Sequence, residues 1–222
     1  MSADQAPTPD ESVPPILSGA GLRRRSAARW ALTGGVRILY RWWTRLAVAL
    51  FPEGSARARW AAHIGVPLPD RLNMSWITPQ LAVGGRVRPA DVGRLARSGV
   101  TRVVDTRSEY KDDEAALGAE GIELLYLPTP DTEPLSLDDL RRGALWINEQ
   151  IADGQRVLIH CEHGVGRSVL LTAAALVASG MSAHAAVTLV QRRRWQAAPN
   201  HRQIVRLQQF ERETHGAQAT PR

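Results

Sequence analysis

From Trp76 onward the chain alternates short apolar runs with stretches whose apolar residues recur at helical spacing. Trp76 to Gly84 reads as a strand pair, Thr101 to Thr106 as a buried strand, Ile122 to Leu127 as a further strand and Gln155 to His160 as a short apolar strand. Pro89 to Arg97, Ser136 to Ala152, Ser168 to Ser179, Ala183 to Arg194 and Asn200 to Thr214 read as helices. Ser136 is placed to cap the second of these, with Asp138 and Asp139 in its first turn, where oxygens and negative charge suit the free backbone N–H groups. Strands and helices in this order predict an α/β sandwich with a central sheet over residues 73–214, followed by a flexible tail at 215–222.

The first third of the chain has a different character. Residues 1–20 carry Pro7, Pro9, Pro14 and Pro15 among small and polar residues without apolar periodicity, and read as disordered. Residues 21–72 read as a basic, Trp-rich helical segment. From Leu22 to Pro52 there is no acid, and seven arginines accompany Trp30, Trp42 and Trp43. Arg37, Arg41 and Arg45 recur on one helical face, while Leu32, Leu39, Trp43, Leu46 and Leu50 recur on another. Such a helix can lie on a membrane surface or pack its tryptophans onto the following domain. The arginines keep every apolar window short of the roughly 18 residues that a membrane span needs. The early acids Asp4, Asp10 and Glu11 are unlike a secretory signal.

Composition sharpens this division. The formal charge is +6, with ten arginines against five acids in residues 1–74, and eighteen basic against seventeen acidic residues in 75–222. The later part is almost neutral and lacks a basic stripe interleaved with aromatics, which argues against nucleic-acid binding. One cysteine among 222 residues rules out an intrachain disulfide. A reactive thiol requires a reducing compartment, so the cytoplasm is expected, with a peripheral position at the inner face of a membrane open through residues 22–52. No pattern in the chain sets an oligomeric state.

Chemistry concentrates in His160-Cys161-Glu162-His163-Gly164-Val165-Gly166-Arg167-Ser168, a loop of five residues between Cys161 and Arg167 that runs from a strand into a helix. A loop of this length can curl the backbone N–H groups of Glu162, His163, Gly164, Val165 and Gly166 around one tetrahedral dianion, with the two glycines permitting tight turns. The same amides and the positive helix end favour the thiolate form of Cys161. Arg167 offers a planar fork for two phosphoryl oxygens, which a lysine could not match. His160, Cys161 and His163 are too close together on a tight loop to converge on one metal ion, so neither a metal nor another cofactor is expected.

His-Cys, five residues, then Arg-Ser resembles the signature of the cysteine-dependent protein tyrosine and dual-specificity phosphatases, and the resemblance covers about residues 73–214. It implies a dual-specificity phosphatase-like α/β fold with a central mixed sheet flanked by helices. It also implies hydrolysis of a phosphomonoester through a cysteinyl-phosphate on Cys161, with Arg167 binding the phosphoryl group. The family supplies an aspartate general acid about thirty residues before the cysteine. Asp131, in the proline-framed stretch Leu127-Pro-Thr-Pro-Asp-Thr-Glu-Pro134, fits, with Glu133 as its competitor. Ser168 matches the hydroxyl that assists departure of the sulfur, and His160 matches a residue that orients the loop. Asn200 and Gln203 are placed either to brace the loop from behind or to cap a helix. Arg192, Arg193 and Arg194 are read as a charge run facing solvent or the helix dipole.

A domain near 140 residues without a phosphotyrosine-recognition loop resembles the compact dual-specificity type, so the expected substrate is a phosphorylated protein. The stretches Leu127 to Ala144 and Arg192 to Gln203 also look like the mitochondrial-type phosphatidylglycerophosphate phosphatases, which makes a membrane-surface phospholipid phosphatase the alternative. Against it, Glu162 and His163 stand where those relatives have a lysine-bearing loop. A catalytically silent phosphoprotein-binding module is a third reading, disfavoured because a binder needs no nucleophile. A rhodanese-like sulfurtransferase would not need Asp131 or Ser168.

Overall fold

The computed structural model describes residue 50, residues 56–64 and residues 72–218. The disordered segment expected at 1–20 lies outside the described residues, as do the arginines and tryptophans of the basic segment at 22–49. A helix α1 (Ala56–His63) precedes the sheet. The sheet has five strands, β1 (Met74–Trp76), β2 (Leu81–Gly84), β3 (Arg102–Arg107), β4 (Glu123–Thr129) and β5 (Val157–His160), in the order β1-β2-β5-β3-β4. Only β1 with β2 is antiparallel; β2 with β5, β5 with β3 and β3 with β4 are parallel, so the sheet is mixed as expected.

Six further helices cover its two faces: α2 (Val92–Arg97), α3 (Glu114–Ala119), α4 (Leu137–Ala152), α5 (Arg167–Ala178), α6 (Ala183–Arg193) and α7 (His201–Gln218). Alternation along the strands decides which face each side chain joins. Ala82, Val103 and Leu158 pack with Leu95, Leu117 and Ile122 in a smaller core beneath α2 and α3. Val83, Val104 and Ile159, their neighbours in sequence, join Leu140, Ile147, Leu171 and Phe210 in the larger core beneath α4 to α7. Helix α5 is the centre of that core, with every residue from Arg167 to Val177 buried. Full burial of one of its leucines is worth about 1.5–3 kcal/mol. Gly143 lets α4 approach closely, since a Cβ there would sit 2.8 Å from both Leu127 and Leu171.

Three local differences from the sequence reading have physical causes. The helix expected at Pro89 to Arg97 opens as a 3-10 turn, Pro89–Asp91, with proline at its start. Helix α3 was not anticipated, because six residues give too few turns for a periodic signal; it is capped by Asp113, whose carboxylate accepts from Ala116 N at 3.0 Å. Helix α7 continues to Gln218, so residues 215–218 are helical where a flexible tail was expected, and His215 Nε2 lies 3.1 Å from the carbonyl of Val177 on α5. Among the described residues no helix is long and apolar enough to cross a membrane.

Candidate active site

Strand β5 lies between β2 and β3, and its carboxyl end delivers His160 and Cys161 to the middle of the sheet edge, where open α/β sheets bind ligands. The loop 161–166 rises from that edge and turns directly into α5. Gly164 has φ +68°, and a Cβ there would come within 2.6 Å of the carbonyl of Gly84. The N-cap of α5, Gly166, contributes no side chain, and the helix opens without a side-chain cap. Its first amides are thereby left for the loop and its ligand.

Cys161 is buried and unpaired with any other cysteine. Gly164 N donates to its Sγ at 3.2 Å, and Ser168 Oγ lies 3.3 Å from it. Burial alone raises the pKa of the thiol. The hydroxyl and backbone N–H of Ser168, the charge of Arg167 and a bond from the His163 backbone outweigh it and hold the thiol below its usual range. These are the loop amides, serine and arginine that the sequence brought together.

Arg167 is 1% exposed, yet its guanidinium meets the mouth of the site. Its Nη1 and Nη2 donate to the two carboxylate oxygens of Glu109 at 2.8 and 2.7 Å, and Nη1 also donates to the carbonyl of Thr129 at 2.8 Å. Nη2 is 2.9 Å from Asp131 Oδ1. Nε is buried without a hydrogen-bond partner. Glu109 thus takes the end of the fork, and the edge formed by Nε and Nη2 is left for an anion. The bond to Arg167 holds the Glu109 carboxyl down at about 2, against the opposing effect of its partial burial.

Asp131 and Glu133 compete in sequence but separate in space. Asp131 is 66% exposed at the mouth and reaches Arg167, whereas Glu133 turns to Arg202 at 2.5 Å. Between them Thr132 has φ +67°, and its carbonyl accepts from Asn200 Nδ2 at 2.6 Å. Gln203 Nε2 donates to the carbonyl of Glu133 at 3.2 Å, and a Cβ on Gly166 would meet Gln203 Oε1 at 2.8 Å. Asn200 Oδ1 also accepts from Gln203 N at 3.0 Å at the start of α7. Asn200 and Gln203 therefore cap a helix and hold the Asp131 loop, with Gln203 packed against Gly166 of the phosphate loop.

Beneath the cysteine lies a buried polar group that the sequence reading missed. His160 Nε2 is 2.7 Å from Asp112 Oδ2 and 3.9 Å from Asp105 Oδ1. Arg107 donates from Nε and Nη2 to the two oxygens of Asp105, each at 3.0 Å, and from Nη2 to Asp112. Its Nη1 is 3.6 Å from Glu162 Oε2, and Glu162 Oε1 is 3.4 Å from Arg86. The side chain of Glu162 is thus committed to two arginines, and only its backbone is available to the loop. Burial pushes the His160 pKa down, but the bond and charge of Asp112 and the charge of Asp105 reverse this and raise it. Polar Asp105, Thr106 and Arg107 closing an apolar strand were the available signal.

Asp105, Asp112 and His160 bring ligand-type atoms within 4.8 Å of one another, the one such group among the described residues. The Arg107 guanidinium already supplies the positive charge these carboxylates need, so they do not fit a metal site. Arg194 requires a correction. Arg192 and Arg193 are exposed, but Arg194, expected with them at the surface, is 1% exposed. The helix ends at Arg193, and the extended backbone of Arg194 (φ −135°, ψ 100°) turns its side chain away from the helical succession.

The family model for the catalytic domain of dual specificity phosphatases matches residues 91–213, more than half of the chain, and the chain belongs to that family. It is 35% identical over 104 residues to dual specificity protein phosphatase 12 of Homo sapiens, covering 46% of this chain and 30% of that protein. It is 43% identical over 72 residues to dual specificity protein phosphatase 1B of Arabidopsis thaliana, covering 32% of this chain and 43% of that protein. The chain therefore spans less than half the length of either relative. Among solved structures it is similar to Tk-PTP in the active form, with 28% identity and a TM-score of 0.60 over 64% of this chain and 98% of that one. PTPMT1 is also similar, with 25% identity and a TM-score of 0.62 over 66% of this chain and 98% of that one.

Proposed function

We propose that this chain is a cysteine-dependent protein tyrosine/dual-specificity phosphatase. The observation that carries this reading is the convergence of three groups on one point. Cys161 is held toward its thiolate by Gly164 N and Ser168, Arg167 presents an unoccupied Nε beside Nη2, and Asp131 stands at the same guanidinium. A phosphoryl group seated on the Nε and Nη2 edge and the loop amides of residues 162–166 would bring its phosphorus to the sulfur and displace Asp131 from Nη2 toward the leaving oxygen.

The reaction then follows in two balanced steps. Cys161 Sγ forms a bond to phosphorus as the ester P–O bond breaks, and the departing oxygen takes a proton from Asp131. Water next attacks the cysteinyl-phosphate, giving its proton to Asp131 while the P–S bond breaks and the sulfur leaves as thiolate, received by Ser168 Oγ and Gly164 N. Arg167 and the loop amides carry the charge on the equatorial oxygens throughout. His160 stays beneath the loop as an orienting group, and no cofactor takes part.

A phosphorylated protein is the substrate class supported by the match to the dual specificity phosphatase family and by its relatives, dual specificity protein phosphatases 12 and 1B. The likeness of Leu127 to Ala144 and Arg192 to Gln203 to phosphatidylglycerophosphate phosphatases supports a second reading, a phospholipid monoester such as phosphatidylglycerophosphate, with residues 22–52 on a membrane surface. In either case a reducing compartment, the cytoplasm, keeps Cys161 reduced. The test is phosphate release by full-length protein from a phosphotyrosine peptide and from phosphatidylglycerophosphate in liposomes at matched concentration. The peptide is the expected preferred substrate, and Cys161→Ser should abolish release while retaining anion binding. Wild-type-like turnover by Cys161→Ser would overturn the mechanism; preference for the lipid would replace the protein-phosphatase reading with the second one.

A further inference from the structure

The sequence gives Arg194 no role, yet its buried guanidinium reaches two neighbouring parts of the fold. On one side Nε donates to the carbonyl of Gly164 at 2.7 Å and Nη2 to the carbonyl of His163 at 3.4 Å. On the other, Nη1 donates to the carbonyl of Asn73 at 3.2 Å and to Ser75 Oγ at 3.3 Å, while Nη2 donates to Asn73 Oδ1 at 2.9 Å. Asn73 is itself fixed, since its carbonyl accepts from Gly85 N at 3.1 Å and its φ is +42°. The guanidinium therefore ties the phosphate loop to the start of β1.

The two carbonyls it holds are consecutive, and this gives the contact a direction. In a planar trans peptide the C=O and the following N–H point in opposite directions. The His163 carbonyl faces Arg194, and the N–H of the same peptide unit, on Gly164, donates to Cys161 Sγ at 3.2 Å. The Gly164 carbonyl likewise faces Arg194, which turns the Val165 N–H away from it. The space is filled to contact: a Cβ on Gly164 would lie 2.3 Å from Arg194 Nη2. With this guanidinium removed, both peptide units would lose the partner of their carbonyls, leaving the Gly164 N–H bond to Sγ and the packing on Gly84 to hold their orientation.

We infer that Arg194 is a positioning residue of the anion cradle, gripping two successive carbonyls from outside so that the amides of Gly164 and Val165 face the sulfur and the phosphoryl oxygens. The inference rests on the reading of this loop as the phosphoryl-transfer site. It assigns Arg194 no contact with substrate. A lysine carries its three donors on one nitrogen and lacks the planar fork that spans both carbonyls and Asn73.

The test uses Arg194→Lys in the full chain and two readouts that require no turnover: the pH midpoint of Cys161 alkylation by iodoacetamide, and the orthovanadate concentration that protects against it. The midpoint is expected to rise by about half a pH unit or more as the amide to Sγ is lost. Half-protection should need about tenfold more orthovanadate. A folded Arg194→Lys with the wild-type midpoint and wild-type protection would overturn the inference. Should that variant not fold, Asn73→Gly keeps the left-handed backbone and removes the Oδ1 acceptor of Arg194 together with the side-chain amide that packs on Gly85. Protection should then weaken by about twofold to fivefold, and unchanged protection counts against the inference equally. Wild-type protein that neither releases phosphate nor is protected by orthovanadate would overturn the phosphatase reading, while the alkylation midpoints would still decide the role of Arg194.

Discussion

Two buried arginines stand on either side of the catalytic loop, each between two carboxylates, and they are built for opposite purposes. Arg107, beneath the loop, is held by Asp105 and Asp112, whose side chains are 0% and 5% exposed. Arg167, at the mouth, is held by Glu109 and Asp131, which are 39% and 66% exposed. The acids under the loop are almost wholly shut off from water, so breaking their pairing strands charge in a largely dry interior. The acids at the mouth can exchange an arginine for solvent at little cost, which is what a site needs if an incoming phosphoryl group is to take the place of Asp131. Similar local chemistry thus serves as a fixed support in one position and as a replaceable occupant in the other.

The comparison can be broken by exchanging which property each arginine controls. Arg167→Lys should lower kcat/KM for a phosphotyrosine peptide by about a hundredfold to a thousandfold through loss of the fork. Its urea midpoint should stay near that of the wild type. Arg107→Met should do the reverse in kind, costing about 3–5 kcal/mol of stability by taking the guanidinium from Asp105 and leaving Asp112 with His160 alone as its ionic partner, as read from urea unfolding. If Arg107→Met were as stable as the wild type, the polar group beneath the loop would not be the rigid support described. A large loss of stability in Arg167→Lys would remove the distinction from the other side.

The difference between the two arginines also explains what was legible in the sequence. Cys161, Arg167 and Ser168 are fixed relative to one another by a short loop and one helical turn, so their spacing alone announces them. The strands and the longer helices were readable because each has a buried face with its own period. Glu109, Asp112 and Arg194 act from other elements, and their meeting with the loop depends on the sheet order β1-β2-β5-β3-β4. Nothing local to Arg194 distinguishes it from the exposed Arg192 and Arg193; only the end of α6 sends it inward. Asp131 lies between these cases, since the strand before it placed its loop, but only the turn at Thr132 and the pull of Arg202 on Glu133 separate the two acids.

The smallest expected effect is the most direct measure of the mouth. Glu109→Gln removes a carboxylate whose folded pKa, about 2, lies below the usual value of 4.5 because of its bond to Arg167. A depressed carboxylate stabilises the fold above its unfolded pKa, and that contribution disappears as pH falls through the folded value. The wild type should therefore melt slightly higher than Glu109→Gln near pH 6, and the difference should shrink from about pH 4.5 toward pH 2. With Glu109 more than a third exposed, solvent screening should keep the difference within about 1 kcal/mol, and added salt should reduce it further. A melting difference that persisted at pH 2, or that exceeded the loss in Arg107→Met, would show that Glu109 is a fixed support like Asp105 and not a solvent-screened partner at the mouth.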